Sequence, residues 1–462
     1  AVGEYFIALN YYIVQEFGPN WYEKLDVITT TEHCNKQRTI RDAIYKAFKQ
    51  FIYGVNQPAG NRSYQSPFTN ISYYAHTYFS SLFGEFYYPD GTKPQWEAID
   101  CLQRLFMKFF NKLRTKQILT FPVETMAMVY DPKTNDIIDK DYKDFTAEMY
   151  AEGHSFFTYI SDSADSLASC CRLRNELAEN TFNPTSGLTG VMTGSCNVIT
   201  LNINRIVQDW ARQPAKEGLN VPGYTGLKEY LVSILERVYK YHIAYKTMLY
   251  EQEEKGMFAA CNGGYIHMNK LYSTIGINGL NEAAKFLGLD ISNNKEYIEF
   301  LQLVLGTIKE QNKLHSIHDS KIPFLFNSEV VPAESLGGKN YRWDKKDGYK
   351  VPEDRVLYNS YFFLADDTNL SIIDKLKLHG KEFTELCDGG MGCHINLQEH
   401  LSKEQYLKII DLAIKYGTFY FTFNVPNTEC LDCGHIEKIP VEKCPKCGSY
   451  HLTYWTRIIG YL

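Results

Sequence analysis

Long segments whose apolar residues recur at helical spacing alternate along this chain with short runs rich in β-branched and aromatic residues. No other feature restricts the fold as much. The helical segments are WEAIDCLQRLFMKFFNKLR (96–114), LKEYLVSILERVYKYHIAYKTMLYEQ (227–252), KEYIEFLQLVLGTIKEQNKLH (295–315) and SKEQYLKIIDLAIKYG (402–417). Between them lie QILTFPVETMAMVY, CNVITLNINRI, IPFLFNSEV, VLYNSYFFLA and TFYFTFNV, bounded by Gly, Pro, Asn or Asp as strands usually are. Strands alternating with long helices predict an α/β architecture, either a doubly wound sheet or a barrel, and periodicity does not choose between them. The Pro426-Asn427 step predicts a hinge to a small terminal module beginning near Glu429.

Composition narrows the function classes. The 462 residues are 44% hydrophobic and 22% charged, ordinary for a soluble globular protein with a large core. A net charge of −6 offers no basic footprint for nucleic acid and no polybasic arm for a membrane surface. No apolar run is long enough to span a bilayer, and no cationic-then-apolar signal segment opens the chain. Twelve cysteines are too few for a secreted disulfide scaffold, so a reduced, cytoplasmic protein is expected. The opening AVGEYFIALN reads as the middle of an element, and the final RIIGYL is equally abrupt. Both ends are therefore expected to be trimmed.

Two cysteine pairs stand near the end, Cys430-x-x-Cys433 and Cys444-x-x-Cys447, ten residues apart and each followed by glycine. A CxxCG turn lets backbone fold tightly beneath a metal-bound sulfur. Four thiolates suit tetrahedral zinc, and a closed four-sulfur site is structural because no position remains for substrate. The same spacing also admits a redox pair or an iron–sulfur cluster. A zinc ribbon often binds another macromolecule, so a non-catalytic zinc-ribbon binding protein is one functional class to weigh.

Beyond the knuckles comes R-I-I-G-Y-L with Gly460. Taken alone, that glycine is a turn residue. Taken with the cysteines, the ending resembles the C-terminal module of anaerobic (class III) ribonucleotide reductases, which are glycyl radical enzymes. The resemblance continues in order along most of the chain. It includes YQSPFTNISY (64–73), SCCRLRN (169–175), GSCNVITLNINRI (194–206), STIGINGL (273–280), VVPAESLGGKNYRWD (330–344) and GCHINLQE (392–399). The family's glycine stores an unpaired electron. The physics favours glycine because a Cα radical without a side chain can flatten and delocalise into both flanking peptide groups. A radical loop at a terminus needs a rigid holder, which a small metal knot supplies.

The resemblance implies a ten-stranded α/β barrel with a central finger loop over residues 1–424, and a zinc-binding and glycyl radical module over 425–462, each incomplete at its outer end. Cys171 matches the finger-loop cysteine; standing alone it would read as a buried small hydrophobe. The radical on Gly460 would oxidise Cys171 to a thiyl, which removes the 3′ hydrogen of a ribonucleotide before the 2′ hydroxyl leaves as water. An enclosed interior supplies the exclusion of water and oxygen this chemistry needs. Glu399 matches an active-site glutamate suited to general base work, and a glutamate here goes with members that use formate as reductant. The bland alternative is a solvated glutamate ahead of the SKEQYL helix. Ala333, Glu334 and Ser335 match the segment that holds the nucleotide phosphates, where a helix N-terminus would present free N–H groups. Ser195 falls where the family often has an asparagine facing substrate.

The implied partners are ribonucleoside triphosphates, deoxynucleotide and ATP effectors, formate, an S-adenosylmethionine-dependent iron–sulfur activase, and a second copy of the chain in a homodimer. Neither nucleic acid nor membrane is among them. Cys170 stands where the quoted family version has glycine. Adjacent cysteines also occur in pyruvate formate-lyase, which makes a glycyl radical acyltransferase the enzyme-class alternative; its family lacks the terminal ribbon. Cys196 and Cys393 are further thiols beside matched motifs, suited to redox partnership or to packing.

Overall fold

In a computed structural model the chain is described over residues 4–31, 34–58, 66, 69–117, 119–164, 166–168, 174–176, 194–212, 224–264, 266–318, 320, 322–330, 334–365, 367–388, 390–397 and 399–455. The principal helices are α1 (Tyr5–Phe17), α2 (Ile40–Val55), α3 (Trp96–Leu113), α4 (Lys140–Ala151), α5 (Leu227–Glu254), α6 (Lys295–His315), α7 (Glu334–Lys346) and α8 (Lys403–Tyr416). The main strands are β1 (Asn70–Tyr74), β2 (Val123–Asp131), β3 (Phe157–Ser161), β4 (Gly194–Asn202), β5 (Leu271–Asn278), β6 (Leu325–Val330), β7 (Cys393–Asn396) and β8 (Tyr420–Asn424). All four helices expected from periodicity form at nearly the expected bounds.

Strands β4, β5 and β6 pair in parallel, and an isolated parallel bridge from Glu329 to Gly390 joins β6 to the segment entering β7. Strand β7 is parallel to β8. At β8 the direction reverses: β8 is antiparallel to β3, which is parallel to β2 and through it to β1. Eight strands thus follow in the order β4-β5-β6-β7-β8-β3-β2-β1, as two internally parallel sets meeting at one antiparallel seam. The fold is α/β. A pairing that closes β1 onto β4 is not among those of the described residues.

The helices cover one face of this sheet. On α3 the buried Ile99, Leu102, Phe106, Phe110 and Leu113 make a stripe at three- and four-residue spacing. Phe106 lies edge-on to Phe6 and Phe48 and tilts against Tyr73 of β1. Phe423 of β8 packs on Tyr150 of α4 and Tyr406 of α8, and Phe326 of β6 meets Tyr239 of α5. Helix α8 starts with a capping box in which Ser402 accepts from the Gln405 N–H. It stops at Gly417, whose φ of 74° and tight contact with Lys381 leave no room for a side chain.

One expected strand is absent. VLYNSYFFLA (356–365) has strand composition, yet it runs irregularly, exposed at Val356 and mostly buried from Tyr358 onward. Its carbonyls are taken by side chains instead of a ladder. Asn359 Nδ2 donates to the Tyr361 and Phe363 carbonyls, Asn281 Nδ2 donates to that of Tyr361 at 2.5 Å, and the Tyr297 hydroxyl serves that of Phe362. Buried backbone must be paired, and these side chains share the task with two backbone donors, Gly279 N–H to the Asn359 carbonyl and Asn396 N–H to that of Ala365. The CNVITLNINRI run likewise ends its strand at Asn202, and INRI opens a helix at Ile203.

Truncating Phe106 to Ala removes the ring shared by the contacts with Phe6, Phe48 and Tyr73. The expected cost is about 3–5 kcal/mol of stability, read as a lowered midpoint in urea unfolding of the zinc-loaded protein.

Candidate functional site

Because side chains alternate across a strand, the face turned from the helices is fixed by the same register. That face is polar. It carries Asn70 and Ser72 on β1, Thr125 on β2, Thr274 on β5, Asn327 on β6, His394 on β7, and Thr422 and Asn424 on β8, all buried. Lateral bonds run between neighbouring strands. Asn70 Nδ2 donates to Thr125 Oγ1 at 3.2 Å, and Asn424 Nδ2 donates to Asn396 Oδ1 at 3.1 Å. On the parallel set, Ser195 Oγ meets Thr274 Oγ1, which donates to Asn327 Oδ1 at 2.7 Å. A sheet face of amides and hydroxyls is a poor core and a suitable wall for a polar ligand.

The expected substrate residues stand at the two ends of this wall. Ser195 is exposed near the start of β4. Glu334 and Ser335 open α7 beyond the C-terminal end of β6, with Ser335 exposed. Glu399 is exposed beyond the end of β7, outside the helix that starts at Lys403. Helix α7 is fastened along one face. A Cβ on Gly337 would lie 2.7 Å from the Tyr358 carbonyl oxygen, so the backbones touch. One turn on, Asn340 Nδ2 donates to Asn278 Oδ1 at the end of β5. One turn further, the buried Asp344 carboxylate accepts from Asn202 at 2.9 Å, Arg205 at 2.6 Å and the Tyr358 hydroxyl at 2.6 Å. This fixes the direction in which the α7 N-terminus points. Cys170, Cys171, Ala333 and Gly460 lie outside the described residues, as does the Glu334 side chain.

The thiols beside the matched motifs take separate places. Cys196 Sγ lies 3.3 Å from the Tyr272 carbonyl oxygen, while Cys393 is buried two strands beyond β5, 4.0 Å from the Lys375 carbonyl oxygen.

The four terminal cysteines come together. Their sulfurs all lie within 4.8 Å of one another, with Cys430–Cys447 at 3.5 Å and Cys433–Cys444 at 3.7 Å. A tetrahedron with metal–sulfur bonds of about 2.3 Å has edges of about 3.8 Å, so the set fits zinc. Disulfides need about 2 Å, so none of these contacts is one. Both knuckles use one geometry: Gly434 N–H bonds the Cys430 carbonyl and Gly448 N–H that of Cys444, each glycine with positive φ. Desolvation opposes ionisation of Cys444, but N–H groups of Cys447 and Lys446 pull its thiol down to about 6, favouring the ligating thiolate. The ribbon strands β9 (Asn427–Cys430), β10 (Ile436–Glu437) and β11 (Leu452–Trp455) pair with β9 in the middle.

The ribbon is seated on a buried charge cluster with no motif to announce it. Glu124 of β2 is fully enclosed. It meets His154 Nε2 at 2.9 Å, the Tyr73 hydroxyl at 2.5 Å and Arg114 at 3.1 Å. Burial pushes His154 down, against the pull of Glu124. Burial works against the Glu124 charge as well, but His154 and Arg114 hold it below its usual range. From the ribbon, Ile436 N–H bonds the Thr115 carbonyl at 3.1 Å, and a Cβ on Gly153 would meet Lys438 Cβ at 2.8 Å. A cavity of 310 Å³ lies at this junction, lined by Glu124, His154, Thr422, Lys438 and Trp455 among others. Burial, and then repulsion from Arg114, bring the Lys438 ammonium down to about 7.

Comparison with known proteins gives one consistent answer. The family model described as anaerobic ribonucleoside-triphosphate reductase matches residues 6–462. The crystal structure of the anaerobic ribonucleotide reductase from Thermotoga maritima in complex with dATP and CTP is similar over 99% of this chain and 70% of that one, at 26% identity and a TM-score of 0.75. The same enzyme with glycerol in the active site gives the same identity, coverage and TM-score. A further anaerobic ribonucleotide reductase is similar at 25% identity and a TM-score of 0.74, over 99% of this chain and 67% of that one. No curated protein sequence matches. Among the described residues no helix is long and apolar enough to cross a membrane.

Two outcomes are expected. Metal analysis of protein purified without chelator should find about one zinc per chain, lost in Cys430→Ser. The folded Lys438 titrates below its unfolded value of 10.5. The destabilisation it causes is therefore full below about pH 7 and fades as pH rises toward the unfolded value. Lys438→Met should raise the urea midpoint at about pH 6 and raise it less at about pH 9.

Proposed function

Since the chain belongs to the anaerobic ribonucleoside-triphosphate reductase family and is an anaerobic ribonucleotide reductase working by radical chemistry, we propose the following division of labour among its residues. Gly460 holds the resting radical, placed there by an S-adenosylmethionine-dependent iron–sulfur activase. The zinc ribbon (Cys430, Cys433, Cys444, Cys447) supports it, since β11 ends at Trp455, five positions before the glycine. The radical passes to Cys171 at the tip of a finger loop inside a closed ten-stranded barrel. The Cys171 thiyl takes the 3′ hydrogen of a ribonucleoside triphosphate. Glu399 accepts the 3′ hydroxyl proton as the 2′ hydroxyl leaves as water. Formate supplies two electrons and a proton and is released as carbon dioxide. Cys171 then returns the hydrogen to C3′.

The substrate lies along the polar wall, with its phosphates at the N–H groups of Ala333, Glu334 and Ser335 and its sugar toward Ser195. Helix N-termini favour anions, and the Gly337, Asn340 and Asp344 contacts supply the rigidity such a site requires. Deoxynucleotides and ATP act as effectors on a homodimer, and the barrel (1–424) and ribbon module (425–462) are the two units. The observation that carries the family reading is the match running from residue 6 to residue 462. The four-sulfur cluster immediately ahead of the Gly460 tail is the structural feature most in accord with the assigned roles.

The test is anaerobic activation followed by electron paramagnetic resonance and product analysis. An organic-radical doublet should form, and CTP with formate should give dCTP. Gly460→Ala should abolish both, and Cys171→Ala should keep the doublet while losing the product. Acetyl exchange on Cys170 or Cys171 without nucleotide turnover would favour acyl transfer instead.

A further inference from the structure

Three side chains on neighbouring parallel strands form a hydrogen-bond chain whose direction is set at one end. Ser195 Oγ of β4 contacts Thr274 Oγ1 of β5, and Thr274 Oγ1 donates to Asn327 Oδ1 of β6 at 2.7 Å. Thr274 and Asn327 are buried, at 0% and 3% exposure, while Ser195 is exposed. An amide oxygen can only accept, and a hydroxyl has one proton to give. The Thr274 proton is therefore committed to Asn327, and its contact with Ser195 can form only if Ser195 donates. That commits the Ser195 proton inward. What Ser195 turns toward solvent is an oxygen with lone pairs and no proton.

We propose that Ser195 is a dedicated hydrogen-bond acceptor for a ribose hydroxyl of the substrate, and that Thr274 and Asn327 are positioning residues that fix its polarity. This rests on the reading of Ser195 as a sugar contact. Ribonucleotides differ in the donors of their bases but share the ribose hydroxyls. An acceptor with a fixed direction therefore suits the part common to all substrates. A serine free to rotate would offer its proton or its lone pairs equally. Such a residue would not distinguish a hydroxyl from a mere acceptor of similar size.

Equilibrium binding to the full-length, non-activated protein tests this, because no turnover intervenes. The ligands are CTP, its 2′-deoxy and 3′-deoxy analogues, and the corresponding fluoro analogues, in which fluorine keeps the size and a weak acceptor but has no proton. Wild type should bind CTP on the order of tenfold more tightly than one deoxy analogue, with the matching fluoro analogue equally weak. Ser195→Ala should bind CTP and that analogue alike. Thr274→Val should shrink the ratio and Thr274→Ser should restore it, a pattern that general loosening of the sheet would not produce because it affects both ligands equally. A fluoro analogue that binds like CTP would mean Ser195 donates, and would overturn the proposal. So would an unchanged ratio in Ser195→Ala. Absence of CTP binding to wild type would instead overturn the placement of substrate on this wall.

Discussion

A buried polar group must find a partner, and on this sheet the requirement is met sideways. The face turned from the helices carries amides and hydroxyls where a closed core would carry aliphatics. Several are held by a neighbour on the adjoining strand, as with Asn70 and Thr125, Asn424 and Asn396, or Thr274 and Asn327. The wall is stiff as a result, and its donors and acceptors have assigned directions. The opposite face packs Tyr73, Phe326 and Phe423 against helices, so most of the apolar driving force lies on that side. A sheet apolar on one side and polar on the other can enclose a polar ligand while the helices supply its stability.

The same logic explains how the irregular segment 356–365 survives inside the fold. Side-chain amides and a tyrosine hydroxyl stand in for the missing ladder, and Tyr358 within it joins Asp344 and Gly337 in fixing α7. Two parallel strands, the helix that follows them and the crossing segment become one interlocked unit. Its outward product is the orientation of a single helix terminus.

Legibility from sequence followed the physics of each signal. Helices such as α3 and α6 were readable because a repeat of apolar positions extends over many turns. The knuckles were readable because metal ligation demands a fixed spacing. VLYNSYFFLA was misread since composition records that a segment is buried and aromatic, not whether a neighbour or a side chain takes its carbonyls. Strands β1 and β3 are short and fully buried, and β7 is nearly so, so they offer no alternation to detect. Glu124, His154 and Lys438 are far apart along the chain and ordinary in type, and no local pattern assembles them. Thr274 and Asn327 escaped for the same reason. Gly460, Cys171 and Glu399 carried meaning only through resemblance, because one glycine, one thiol or one carboxylate has no local signature of its chemistry.

The described part of the knuckled terminus meets the larger fold through an N–H bond to Thr115, a close approach at Gly153, His400 beside the Lys438 carbonyl, and Lys438 over buried charge, among others. Internally it is built around four sulfurs placed to hold a metal ion. The molecule therefore has two tiers of durability. Oxidants or chelators can slacken the upper tier while the lower stands intact, so a sample could pass every test of bulk foldedness and yet have lost the mooring of its final strand.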